Sequence, residues 1–195
     1  MVMEKYVAFL RGINVGGHKL VKMEALRQIF ESLGFKDVST YIQSGNVIFV
    51  ARATNLTSLK KKIEKALKAE LGHEVIVAVV PLSEVVAIVK ADPFKGIEAS
   101  KDVALYVAFF CGEATARPPV PFTDPKEYVD LIGFHEHAAF IVAHRKPNGQ
   151  HGFPGGFMEN QFGVSGTTRN MNTVTKIAAF ADAKAPIDAK SAKAR

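Results

Sequence analysis

The chain has 195 residues, of which 48% are hydrophobic, enough to bury the core of one large domain or of two small ones. Its apolar runs, such as 75–80 and 103–110, are too short to span a bilayer, and residues 1–5 lead into a strand, so export and membrane insertion are not expected. The formal charge is +6, but Lys184, Lys190, Lys193 and Arg195 against Asp188 place +3 of it in residues 184–195, read as a disordered basic tail, and a lone Cys111 suits a reducing cytoplasm.

Taken in chain order, Lys5–Leu10 reads as a strand. Met23, Leu26, Ile29, Phe30 and Leu33 then recur at helical spacing until Gly34. Val38–Gln43 and Asn46–Val50 read as two strands joined tightly at Ser44-Gly45. Leu59, Ile63, Ala66 and Leu67 mark a second helix whose lysines, Lys60 to Lys68, form a solvated face, and Glu74–Val80 is a fourth strand. This βαββαβ order, with a hairpin in its middle, implies a ferredoxin-like sheet with helices on one face. A short helix over Leu82–Val89 follows, and Ala91–Asp102, with Pro93 and Gly96, reads as a linker.

The second half opens on a strand, Val103–Cys111, and a stiff loop through Pro118, Pro119, Pro121 and Pro125. Tyr128–Phe134 and Ala138–Arg145 read as an antiparallel pair, Phe157–Phe162 as a short helix and Val164–Arg169 as a last strand. Asn172 or Thr173 is expected to cap a final helix carrying Val174, Ile177, Ala178 and Ala181. The expected protein is thus α+β: a ferredoxin-like βαββαβ unit (1–90) packed against a smaller α+β unit (103–183), with linker 91–102 and tail 184–195. The strands of the first unit are apolar on both faces, as in Tyr6-Val-Ala-Phe-Leu10 and Val75–Val80, so a sheet open to water on one side is not expected.

Two polar segments stand apart from this scaffold: Arg11-Gly-Ile-Asn-Val-Gly-Gly17 after the first strand, and Thr167-Thr-Arg-Asn-Met-Asn-Thr-Val-Thr-Lys176 entering the last helix. The first is neither a P-loop, lacking Gly-Lys-Ser/Thr, nor a dinucleotide fingerprint, its glycines being spaced differently. The second brings backbone N–H groups, hydroxyls and cations together at a helix start, a setting that favours anions. With the Gln43-Ser-Gly-Asn46 turn they define a candidate ligand site. Arg11, Arg169 and Lys176 supply charge, while Asn14, Gln43, Asn46, Asn170, Asn172 and Thr173 supply hydrogen bonds. Gly16 and Gly17 admit a ligand to the backbone. Each segment also reads as a plain turn or helix cap. His135, His137, His144 and His151 lack acidic or thiol companions at a diagnostic spacing, so no metal set is assigned.

The stretches 6–17, 41–49 and 167–176 together resemble the bacterial family called domain of unknown function 1697. The resemblance implies an α+β protein with a ferredoxin-like N-terminal part and a second α+β part, and no established activity, cofactor or catalytic residue. Two departures stand out: Met171 where members often have Trp, and Gly149-Gln-His-Gly-Phe153 where they often carry Arg-Ser-Lys. The expected function is a cytoplasmic protein binding a phosphate-bearing small molecule or nucleotide. The alternatives are a nucleic-acid-binding protein and an oligomeric interaction protein whose polar segments are structural latches. No catalytic group and no cofactor are assigned.

Overall fold

The computed structural model describes residues 2–14, 20–152 and 155–181. It is an α+β protein with two sheets. The described residues divide into two compact units, one drawn from Met1–Val85 and Ile177–Arg195, the other from Val86–Lys176. The expected basic tail, 184–195, lies outside the described residues.

In the first unit the order is β1 (Met3–Leu10), α1 (Met23–Ser32), β2 (Lys36–Tyr41), β3 (Asn46–Arg52), α2 (Leu56–Leu71) and β4 (Val77–Pro81). The sheet runs β2-β3-β1-β4, and all three pairings are antiparallel. Leu26, Ile29 and Phe30 of α1 and Leu59, Ile63 and Leu67 of α2 are buried at spacings of three and four residues, forming the stripe a helix needs to lie on a sheet. Asn55 caps α2 by accepting from the Ser58 N–H at 3.1 Å, and Gly72 ends it in the left-handed conformation. The core centres on Phe49, whose ring stacks on Phe35 at 4.6 Å and meets Phe30 edge-on at 5.3 Å. On the opposite face of the sheet Val7, Phe9, Ile48, Ala78 and Val80 are buried as well. The first sheet therefore has no polar face, in keeping with strands that are apolar on both sides.

The second unit opens on the latter part of α3 (Leu82–Ala91). Five antiparallel strands follow in the order β6-β7-β8-β5-β9: β5 (Val103–Phe110), β6 (Phe122–Asp124), β7 (Val129–Phe134), β8 (Ala138–His144) and β9 (Gly166–Asn170). Helix α4 (Gly155–Phe162) places Phe157, Met158 and Phe162 on Phe110, Leu131 and Ile141. The other face carries Leu105, Val107, Phe109 and Phe140, all buried, with the Phe94 ring 6.2 Å from Phe140. Helix α5 (Met171–Ala178) follows β9 directly.

The β2–β3 connection shows how close approach fixes a residue type. Gly45 has φ +71°, and a Cβ there would overlap Ile13 Cγ2 and lie 2.9 Å from Leu10 Cβ. Its carbonyl accepts from the Leu10 N–H at 2.8 Å, which draws the turn onto the end of β1. Replacement Gly45→Ala is expected to cost about 2–4 kcal/mol in urea unfolding, from left-handed strain plus displacement of buried Ile13. A loss below about 0.5 kcal/mol would show that the turn has slack.

Candidate functional site

The expected site residues divide between the two units: Arg11, Asn14, Gln43 and Asn46 fall in the first, and Arg169, Asn170, Asn172, Thr173 and Lys176 in the second. Gly16 and Gly17 lie outside the described residues.

In the first unit, β1 hands over to a loop whose path is set by left-handed residues, Gly12 at φ +67° and Asn14 at φ +58°. Asn14 is half-buried. Its Nδ2 donates to the carbonyls of Val21 at 3.1 Å and Gln43 at 2.9 Å, and its Oδ1 accepts from the Val21 N–H at 2.7 Å. Both amide hydrogens are thus committed, and the partners fix the orientation, since a flipped amide would set its oxygen against two carbonyls. The arrangement compensates for a missing cap: Lys22, at the start of α1, makes no side-chain cap bond, and Asn14 holds the residue just before it. Asn46 is fully buried and uses Nδ2 on Tyr41 O and Ser44 Oγ, both at 2.9 Å. Gln43 contributes its carbonyl to Asn14 while its side chain stays exposed, and Arg11 is half-buried with its N–H on Ile76 O at 2.8 Å.

In the second unit Arg169 is buried, at 8% exposure, where the sequence pointed to an accessible cation. The register explains the difference: Arg169 pairs with Val107 and Thr167 with Phe109, so both stand on the buried face opposite α4. Arg169 Nη1 donates to Thr167 Oγ1 and Thr168 O, each at 2.8 Å. Burial pulls its guanidinium down to about 10, Cys111 opposing that shift, so the group remains protonated at neutral pH. Asn170, not Asn172 or Thr173, caps the last helix: its Oδ1 accepts from the Asn172 N–H at 2.9 Å. Asn172 and Lys176 are exposed and Thr173 is half-buried.

Sequence reading missed a groove of about 640 Å³ in the first unit, where β2, the end of β3 and the start of α2 meet. Three cations line it, Lys36, Arg52 and Lys62, with hydroxyls from Thr54 and Ser58. The first turn of α2 holds no acidic residue, and no carboxylate lines the groove among the described residues. Lys62 Nζ donates to Leu33 O at 2.8 Å and sits 5.1 Å from the Phe35 ring centre. Close to the groove, Tyr6 OH donates to Glu4 Oε2 at 2.7 Å and accepts from the Thr54 N–H at 3.4 Å. Burial, followed by the Glu4 hydrogen bond, raises the Tyr6 phenol above its usual value and keeps it neutral. Lys36, Arg52 and Lys62 are far apart in sequence, and Lys62 belongs to a helix that reads as evenly basic, so no spacing could have united them.

Among the histidines, His144 Nε2 meets Asp130 Oδ2 at 2.5 Å, and no group of three or more His, Cys, Asp or Glu is arranged as metal ligands among the described residues. No described helix is long and apolar enough to cross a membrane.

An α+β scaffold with two sheets and amide-rich turns is the class these observations define. The chain belongs to the family described as "Protein of unknown function (DUF1697)", whose family model matches residues 3–139. That stretch contains the segments around Asn14 and Asn46 and stops before Arg169. The fold is similar to that in "The structure of conserved bacterial protein SP0830 from Streptococcus pneumoniae", at 20% identity and a TM-score of 0.62, over 91% of this chain and 98% of that one. No curated protein matches the chain.

Asn14→Ala should lower stability by about 2–4 kcal/mol, through three lost hydrogen bonds and a left-handed φ that alanine tolerates poorly. Asn14→Gly should recover roughly 1 kcal/mol of that loss by removing the φ strain alone. Chemical denaturation measures both, and two variants as stable as the parent would place Asn14 outside the framework.

Proposed function

We propose that the protein binds a phosphate-bearing small molecule, and that the groove of the first unit takes it. The observation that carries the reading is the gathering of Lys36, Arg52 and Lys62 around about 640 Å³ with no lining carboxylate among the described residues. Clefts of roughly 300–1,000 Å³ suit small ligands, and converging cations with hydroxyl donors suit a phosphate. Lys36 and Arg52 are exposed cations near one another, and an anion between them relieves their repulsion.

The Asn-rich segments are read as latches rather than ligand contacts. Support comes from the Asn14 and Asn46 amides, whose hydrogens are spent on the β2–β3 turn and on Val21, and from the buried Arg169 bonded along its own strand. A ferredoxin-like first unit is proposed on the element order βαββαβ and the antiparallel order β2-β3-β1-β4. The limits 1–90 and 103–183 and a cytoplasmic location belong to the same proposal, the latter resting on the single, buried Cys111.

Calorimetric titration with methyl phosphate, glucose 6-phosphate and adenosine monophosphate tests the reading. At least one should bind, and Arg52→Met should weaken it about 10-fold or more, as loss of a charge-assisted contact requires. Lys61→Met, on α2 next to Lys62 but outside the lining, should leave affinity unchanged. Absence of binding by all three, or binding indifferent to Arg52→Met and Lys36→Met, would overturn it.

A further inference from the structure

We infer that the phosphate taken by the groove is one of several along a single-stranded nucleic acid, held by its backbone and not by its bases. The inference rests on the phosphate reading of the groove and extends the ligand beyond it. Its basis is a line of cations that begins outside the lining, on α2, and ends on the far side of the sheet.

Lys61, Lys62 and Lys65 are all exposed on α2. Because Leu59, Ile63 and Leu67 form the buried stripe, the solvent crest of the helix falls at Lys61 and Lys65, which stand one turn and about 6 Å apart along the axis. Lys62 turns from that crest into the groove it lines. The acids of α2 lie elsewhere. Glu64 accepts from the Val77 N–H at 3.0 Å and meets Lys60 at 3.6 Å, and Glu70 falls on the opposite side of the helix from Lys61. Glu74 neutralises Lys68 at 2.9 Å, but Lys61 and Lys65 have no acidic partner among the described residues. Like charges at these helical spacings repel, and an anion laid along the crest relieves them.

Beyond the groove the line continues on two strands. Ala51 belongs to the core beneath α1 and α2, so Arg52, the next residue, leaves the sheet on its other side. Lys36 pairs with Val50, two residues before Arg52. That register sets Lys36 and Arg52 diagonally on adjacent strands, about 7–8 Å apart. Both are exposed, and neither has an acidic partner among the described residues.

The course and spacing of this line select the partner. It bends from the convex crest of α2 through the groove to the opposite side of the sheet, a path that a stiff duplex cannot follow and a flexible strand can. Its cations stand about 6–8 Å apart, which suits phosphates separated by sugars better than phosphates joined directly through oxygen. Bases find no stacking platform in the lining, where the aromatic residue is Phe35, only 7% exposed and covered by Phe49 at 4.6 Å. The strand is therefore held by charge, without sequence preference.

Anisotropy titration of a labelled thymidylate oligomer, about ten nucleotides long, into the full chain tests the inference. The logarithm of affinity should fall against that of salt with a slope of about −3.5, Lys36, Arg52, Lys61, Lys62 and Lys65 each releasing about 0.7 of a counterion. A variant carrying Lys61→Gln and Lys65→Gln should bind the oligomer about 10-fold more weakly at low salt, with a slope near about −2, and should keep its affinity for methyl phosphate. Lys95→Gln with Lys101→Gln, an equal loss of exposed charge in the second unit, should leave oligomer binding unchanged. Equal weakening by both pairs would reduce the binding to general charge attraction and overturn the inference. So would a duplex of the same length, polyglutamate or inorganic polyphosphate that binds as tightly as the oligomer. Oligomer binding indifferent to Arg52→Met would place the strand away from the groove, with the same consequence. If methyl phosphate binds and is lost in Arg52→Met, but the oligomer binds no tighter and ignores Lys61 and Lys65, the strand fails and the phosphate reading stands. If neither methyl phosphate nor the oligomer binds, both fail.

Discussion

The carboxamide of Asn14 is the constraint on which one end of the first unit depends. It joins three pieces of chain: the loop after β1, the residue that introduces α1, and the turn between β2 and β3. A side chain can replace a sheet ladder in this way only if donor and acceptor both point correctly, and the left-handed backbone of Asn14 aims them. Asparagine is among the few residues that take that conformation at low cost while supplying the needed hydrogen bonds. Gly45 completes the joint from the other side, its missing Cβ leaving room for Ile13, while Asn46 secures the turn internally. Residues that look like a reactive surface in the sequence thus act first as a substitute for secondary structure.

Much of the scaffold was legible because it obeys simple periodicities. Leu26, Ile29 and Phe30, and later Leu59, Ile63 and Leu67, gave the helices of the first unit, and double-faced apolar strands correctly implied a sheet with no polar face. Boundaries moved where a single backbone angle decided them. The second strand ends at Tyr41 because Ile42 turns to φ +49°, and the last helix starts at Met171 because Asn170 bonds the Asn172 N–H. Strand β6 was not anticipated: its three residues follow a proline run, and only their pairing with β7 makes them a strand.

The candidate site was less legible, for a physical reason. Polarity in a sequence marks hydrogen-bonding capacity, but it does not say whether the partner is a ligand or the chain itself. Arg169 illustrates the ambiguity. Between Thr168 and Asn170 it reads as exposed, yet the register beside Val107 buries it, and its guanidinium donates to Thr167 Oγ1 and Thr168 O along its own strand. The basic groove shows the converse. Each of its cations is ordinary alone, and only the meeting of two strands with a helix start concentrates them around an apolar wall. Function in such a fold is sought where cations from separate elements meet at the surface, not where polar residues are most dense in the sequence.

Hydrogen exchange at the Val21 amide tests the central claim most directly, because this N–H precedes α1 and its acceptor is Asn14 Oδ1. The account requires Val21 to exchange far more slowly than an open loop amide. It also requires that protection to vanish in Asn14→Gly while Val7 and Val47, in β1 and β3, keep theirs. A Val21 amide that exchanges at the open-loop rate in the parent protein would contradict the latch and return Asn14 to the surface as a ligand group.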